Sequence, residues 1–378
     1  MQATQTGGAL QGLRVIDASR VLAGPFCGQI LGDHGAEVLK IEAPEGDECR
    51  GFGPPFVEGS SAYFRAVNRN KRSMVLDLNQ DGARAVFWQL LESADVLIEN
   101  FKASTLRAWG VASPKEITQR YPRLIHCRIT GFGDDGPLGE LPGYDAAVQA
   151  MAGLLSINGE AGGPPLRLGV PVVDLTTGMN AAMAVLLALQ ARHLTGQGQM
   201  ADITLYDSAV SVAHPFLTNY LASGVTPRPS GNGHPNIVPY NVYQTRTCPL
   251  FIAVANDRLF GKLCIQLGLP ELPQDPRFAT NGQRVANRDA LDAALRAALA
   301  TLDGEEIGPR LLAQNVPAAP ILDVGAVAAA PHTAHRAMVV RQDGYTGPGI
   351  PIKLSRTPAS IRRGPPALGE MPAPDGAL

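Results

Sequence analysis

Short apolar runs and helical periodicities take turns along the first two hundred residues. Leu13–Asp17, Ala36–Ile41, Val75–Leu78, Asp95–Glu99 and Leu124–Ile129 read as strands, and Gly82–Glu92 reads as a helix between two of them. Strands of this length separated by helices predict βαβ units, hence an α/β fold with a parallel, doubly wound sheet. The longest helical pattern, Leu175–Leu194, is rich in Ala, Met and Leu and is closed by Gly196. Its most apolar stretch, Ala181–Leu189, is too short to span a bilayer. A further helix fits Leu205–Leu221.

Residues 223–239 then turn dense in Gly, Pro, Ser and Asn, the composition of a linker or functional loop. Beyond them a strand at Leu250–Val254 and helices at Arg258–Leu267 and Arg288–Leu302 predict a smaller α+β domain. The expected layout is a large domain over 10–200, a linker helix over 201–225, a small domain over 226–325, and a return segment to the large domain over 326–378. At 378 residues the chain exceeds what one hydrophobic core usually serves, which agrees with two folding units. The tail after Arg362, rich in Pro and Gly, is expected to be loosely held.

Composition changes this picture only by exclusion. A net charge of -2 offers no long-range field for nucleic acid or an anionic membrane. Residues 1–11 show no basic segment followed by an apolar run, so no secretory leader is expected. The five cysteines, Cys27, Cys49, Cys127, Cys248 and Cys264, are scattered without metal-type pairing. They suit a reduced cytoplasm and predict no metal site. Of the seven histidines, only His234, in the loop Gly231-Asn232-Gly233-His234, is placed near a site.

Four motifs invite chemistry. Gly131–Gly136 matches G-x-G-x-x-G after a strand, but Pro137 and Pro142 prevent the helix that should open there, so NAD binding is not expected. Gly24, Gly28 and Gly32 fall on one helical stripe, which suits either tight packing or the entrance of a ligand. Asn68–Ser73, with Arg69, Lys71 and Arg72, is either a solvated basic turn or a phosphate clamp. Asp174 lies between an apolar run and the long helix, where an N-cap is expected. The helix dipole and free N–H groups there would keep it ionised, as a carboxylate nucleophile requires.

Several ordered segments together resemble the class III (CaiB/BaiF, formyl-CoA transferase-like) CoA-transferases. They are Arg20–Cys27 running into Gly32–Glu42, Asn68–Asp77, Ala94–Phe101, Thr130–Gly133 with Gly143-Tyr144-Asp145, and Gly169–Asp174 with Thr177-Gly178. Asn236–Tyr240 and Asp275–Asn281 come after these, so the likeness spans roughly 10–355. The resemblance implies a Rossmann-like large domain, an interlocked homodimer, and Asp174 as covalent nucleophile. It places CoA contacts at Leu22, Ala23, Leu76, Asp77, Leu78, Asn79, Asn100, Phe101, Lys102, Tyr144 and Asp145. Where related transferases carry Arg, this chain has Ala43 and Ala108, so Arg107, Lys71 or Arg72 is expected to meet the phosphates instead. The sequence also ends soon after Leu368-Gly369-Glu370, short of the family's C-terminal helix.

The reaction implied by the resemblance exchanges one thioester for another through an aspartyl anhydride and an aspartyl-CoA thioester. The glycine loop Gly231–His234 resembles the family's lid. A racemase of the same fold carries His before the acid matching Asp145; here Tyr144 stands there, and tyrosine is a poor base near neutral pH. A CoA-binding protein without catalysis is the other alternative. The segments Gly51–Val57 and Asn236–Tyr240 look most like those of succinyl-CoA:dicarboxylate transferases of the glutarate type. Arg167 is the candidate cation for a second carboxylate.

Overall fold

In a computed structural model, which describes residues 8–342 and 344–373, the chain divides into two compact units. One joins the residues up to Leu154 with Arg167–His214 and the segment from Pro331 onward. Its centre is a six-stranded sheet of β1 (Arg14–Ala18), β2 (Glu37–Glu42), β3 (Lys71–Val75), β4 (Val96–Glu99), β5 (Ile125–Thr130) and β6 (Met200–Thr204). The spatial order is β3-β2-β1-β4-β5-β6 and every neighbouring pair is parallel. Strand order therefore reverses between β1 and β4, where a doubly wound sheet opens a crevice at its carboxyl edge.

Four helices of this unit bear on the site: α1 (Ala23–Asp33), α2 (Asp81–Glu92), α3 (Asp145–Met151) and α4 (Val172–Thr195). Helix α2 buries Ala83, Phe87 and Leu91 on one face, each large side chain contributing about 2 kcal/mol. The glycine stripe of α1 serves packing. A methyl group at Gly28 would sit 2.8 Å from Asp17 Oδ2, and one at Gly32 would sit 3.1 Å from Asn70 Cβ. Helix α1 also packs on α4, where a methyl at Gly178 would meet the Ala23 carbonyl oxygen at 2.6 Å.

Four readings of the sequence need correction in this unit. The third strand begins at Lys71, not Val75: Lys71, one of the charged residues that suggested a turn, is a strand residue with its ammonium buried against Asp17. Strand β6 was not expected from the sequence. Helix α4 starts at Val172 and has 24 residues, so by length and composition alone it could cross a membrane. One face of it packs against α1, β5 and β6. The tail after Arg362 is tied down: Gly369 N donates to Ser73 Oγ, Met371 N to Ser73 O, and Arg50 to Pro366 O. The expectations for residues 1–7 and 374–378 lie outside the described residues.

The second unit comprises Leu155–Leu166 and Pro215–Ala330. The helix expected over Leu205–Leu221 is broken before Pro215 into Leu205–Ser211 and Phe216–Ser223. Strands β7 (Tyr240–Gln244), β8 (Pro249–Ala253) and β9 (Ala318–Pro320) form an antiparallel sheet in the order β9-β8-β7. With α5 (Asp257–Leu267), α6 (Arg288–Leu299) and α7 (Gly304–Ala313) they enclose a core that includes Tyr243, Ile252, Phe260, Leu295 and Leu311. Asn256 caps α5 by accepting from Leu259 N, and left-handed Gly268 ends it.

Candidate active site

A cleft of about 950 Å³ opens at the carboxyl edge of the parallel sheet, where strand order reverses. Its walls come from the loops that leave the strands. Arg20–Ala23 follows β1, Asn100–Ala103 follows β4, Thr130 ends β5 with Gly131 and Gly133 after it, and Leu205 follows β6. Tyr144 and Asp174 complete it. Of the residues expected to meet CoA or react, Leu22, Ala23, Asn100, Phe101, Lys102, Tyr144 and Asp174 are brought together here.

Asp174 is not the N-cap of α4. That position is Pro171, which offers no side-chain bond, and Asp174 lies in the first turn. The capping carboxylate is Asp145, at the start of α3, whose Oδ2 accepts from Val173 N at 2.8 Å and from Asp174 N at 3.1 Å. Its Oδ1 accepts from Gln149 at 2.5 Å. Asp145 is thus a bracket for the backbone at Asp174, not one of the cleft-lining contacts. The helix-start amides expected to keep Asp174 ionised bond Asp145 instead. Burial, and then the negative charge of Asp145, raise its pKa to about 7. The amides that would have acidified it already serve another carboxylate.

Other expected contacts lie elsewhere. Lys71 cannot reach a phosphate. It is fully buried, and its ammonium donates to Asp17 at 2.7 Å, Pro25 O at 2.7 Å and Asn68 at 2.8 Å, which accounts for all three donors. Arg72 is exposed beside Arg14, Arg362 and Arg363, at the edge where β1, β2 and β3 begin, away from the cleft. Leu76 belongs to the core beneath α2. Asp77, Leu78 and Asn79 form the turn after β3, with Asp77 accepting from Asn79 N. Arg107 borders a neighbouring hollow and is held by a two-pronged pair to Glu140, at 2.8 Å for both bonds. Arg167 is exposed and turns onto the carbonyls of Leu168 and Gly169. Gly231–His234 is a turn of the second unit: Gly231 N donates to Gly159 O, His234 N to Tyr240 O, and Arg288 to His234 O.

Sequence reading missed three contributors, Arg20, Arg128 and Tyr63. Arg20 lines the cleft beside the expected Lys102, and neither has an acid partner among the described residues. Arg20 stood inside a quoted motif without being singled out. Arg128, buried in β5, bonds Glu99 at 2.8 Å and Asp134 at 2.5 Å. It thereby fixes the turns Gly131–Gly136, where no helix opens. Glu99 also receives His126 at 2.9 Å. The Tyr63 phenol is pushed up by burial and then by the charge of Asp174. A lone tyrosine in a polar stretch carried no signal.

Comparison with known proteins identifies the family. The model of the family described as CoA-transferase family III matches residues 10–371. The chain is 41% identical over 373 residues to a succinate–glutarate CoA-transferase of Agrobacterium fabrum, covering 96% of this chain and 93% of that one. It is 41% identical over 350 residues to an acetyl-CoA:oxalate CoA-transferase of Acetobacter aceti, covering 92% and 90%. Among solved structures it resembles a CaiB/BaiF family protein from Brucella suis, with TM-score 0.85, 41% identity and 97% of each chain covered.

Proposed function

The chain belongs to CoA-transferase family III, and from that membership we propose that it passes CoA from succinyl-CoA, or a similar acyl-CoA, to a dicarboxylic acid through intermediates on Asp174. It is a CoA-transferase, acting on CoA thioesters as substrates. The observation that carries the mechanism is the presence of Asp174 in one cleft with Leu22, Ala23, Asn100, Phe101, Lys102 and Tyr144.

The Asp174 carboxylate attacks the donor's thioester carbonyl, and collapse of the tetrahedral adduct expels CoA thiolate and leaves a mixed anhydride. The thiolate then attacks the aspartyl carbonyl, releases the donor acid and forms an aspartyl-CoA thioester. The acceptor carboxylate displaces the thiolate, giving a second anhydride. Attack by the thiolate on its acyl carbonyl yields the new acyl-CoA and free Asp174. One thioester replaces another, so no outside driving force is needed. A pKa of about 7 leaves a substantial carboxylate fraction at neutral pH and makes that carboxylate a stronger nucleophile than an ordinary aspartate.

A dicarboxylate acceptor is supported by relatives named for succinate, glutarate and oxalate. The unpaired cations Arg20 and Lys102 in the cleft add to that support, since a second carboxylate or the CoA phosphates would need them. Arg107 is the reserve phosphate partner, exchanging Glu140 for a phosphate. We further assign Gly231–His234 as the cover of the anhydride and an interlocked homodimer in the cytoplasm as the working form. Hydroxylamine or borohydride trapping in the presence of succinyl-CoA is expected to modify Asp174, read by peptide mass spectrometry. Full exchange activity in a folded Asp174→Ala enzyme would remove the mechanism. A panel of mono- and dicarboxylates read by the same method tests the acceptor class.

A further inference from the structure

One wall of the cleft is strained backbone. Among the described residues, six non-glycine residues have positive φ, and Val21, at φ 71°, is the only β-branched one. A branched side chain collides with its own backbone in that conformation, which persists only where the surroundings hold it. Three contacts do so. Asp47 accepts from Val21 N with both carboxylate oxygens, at 3.1 and 3.3 Å. Lys40 lies 2.8 Å from Asp47, with both side chains shut off from solvent, and donates to Ser19 O at 2.9 Å. Asn100 brackets Arg20, accepting from its N at 3.2 Å and donating to its O at 3.1 Å. Helix α1 begins directly after this segment, with no side-chain cap. Val21, Leu22 and Ala23 share the cleft with Asp174.

A buried ion pair is a weak source of stability, because desolvation offsets the attraction. Burial would raise the Asp47 carboxyl, but Lys40 overrides it and brings it to about 2, so the pair stays charged at any working pH. Local strain clamped by buried charges beside a reactive carboxylate calls for a reason other than folding.

We propose that Lys40 and Asp47 are positioning residues for acyl transfer: by holding Val21 left-handed they fix the Arg20–Ala23 backbone that walls the reacting cleft. The inference rests on the reading of Asp174 as nucleophile, and the two fail separately. Asp174→Ala tests that reading alone.

The test replaces the pair by apolar residues of similar volume, Lys40→Met with Asp47→Leu, an exchange that buried pairs often tolerate. Melting within a few degrees of the wild type is expected, with kcat/KM for acyl-CoA down about thirtyfold, as small misplacements in a site produce. Adding Val21→Gly, which removes the conformational penalty, is expected to recover about tenfold, measured against Val21→Gly alone. A lesion of stability would not respond to that glycine. Wild-type turnover in the apolar pair, or a loss the glycine does not relieve, overturns the proposal. If the apolar pair does not fold, Asp47→Asn and Asp47→Ala decide. Asparagine keeps an oxygen for the Val21 amide and is expected to exceed alanine about tenfold in kcat/KM; equal rates overturn the proposal.

Discussion

Asp174 sits in the first turn of a helix, where a carboxylate is ordinarily acidified, yet its pKa is raised to about 7. The cause is burial together with competition, since Asp145 takes the Val173 and Asp174 amides and adds its own negative charge. The value of kcat/KM for acyl-CoA is therefore expected to rise with pH through about 7, the free enzyme's nucleophile being the group titrated. Asp145→Asn removes the repulsion and should move that limb toward acid, as a pH–rate profile would show; an unmoved limb rejects the coupling. The same shift has a sign in stability. Between the unfolded value of about 4 and the folded value of about 7, the folded protein holds the extra proton. Stability therefore falls as pH rises through that window, by about 4 kcal/mol for three pK units. Asp174→Asn should raise the melting temperature at pH 8 and leave it nearly unchanged at pH 4.

Among the elements, those that obey a single physical rule were legible. Strands β1, β2, β4 and β5 announce themselves as apolar runs, and α4 as a long Ala- and Leu-rich helix closed by glycine. Where charge is buried against charge, the same logic misleads. Lys71 and Arg72 look like a solvated turn, but Lys71 opens β3 and is neutralised by Asp17, fifty-four positions away, which no local pattern can reveal. Asp174 stood out through its family motif and its place near a helix start; the bracket from Asp145 did not, because it is a contact between distant segments. Lys71→Met should cost about 3–5 kcal/mol in chemical denaturation by stranding Asp17. A phosphate contact would instead raise KM for CoA with stability intact. At the crossing of α1 and α4, Gly178→Ala should destabilise by about 1–3 kcal/mol despite its better helix propensity, because the new methyl strikes the Ala23 carbonyl. A thermal melt distinguishes the two signs.

At the scale of the whole molecule, α4 leaves Met183 and Leu187 exposed at 55% and 66%, with Met179, Leu186 and Leu194 also open to solvent. That is a long apolar stripe to leave open on one helix. A second copy of the chain is the proposed cover. Light scattering is expected to give twice 39.8 kDa for the wild type, and Met183→Glu with Leu187→Glu should reduce it to a single chain. A monomeric wild type would end the dimer proposal.

The raised pKa of Asp174 also bears on how the proposed anhydride would open. Its two halves differ as leaving groups, because an ordinary carboxylic acid with pKa about 4 departs more readily than a side chain near 7. In the first half of the exchange this bias favours expulsion of the donor acid and commits the enzyme to the thioester. In the second half the same bias favours returning the acceptor unchanged. Electronic preference cannot serve both directions, so the thiolate must be aimed at one carbonyl and then at the other. With an acceptor labelled in both carboxylate oxygens, a strike on the acceptor's own carbonyl leaves one label in Asp174, whereas the wrong strike returns the acceptor with both labels, so mass spectrometry of Asp174 counts the productive strikes.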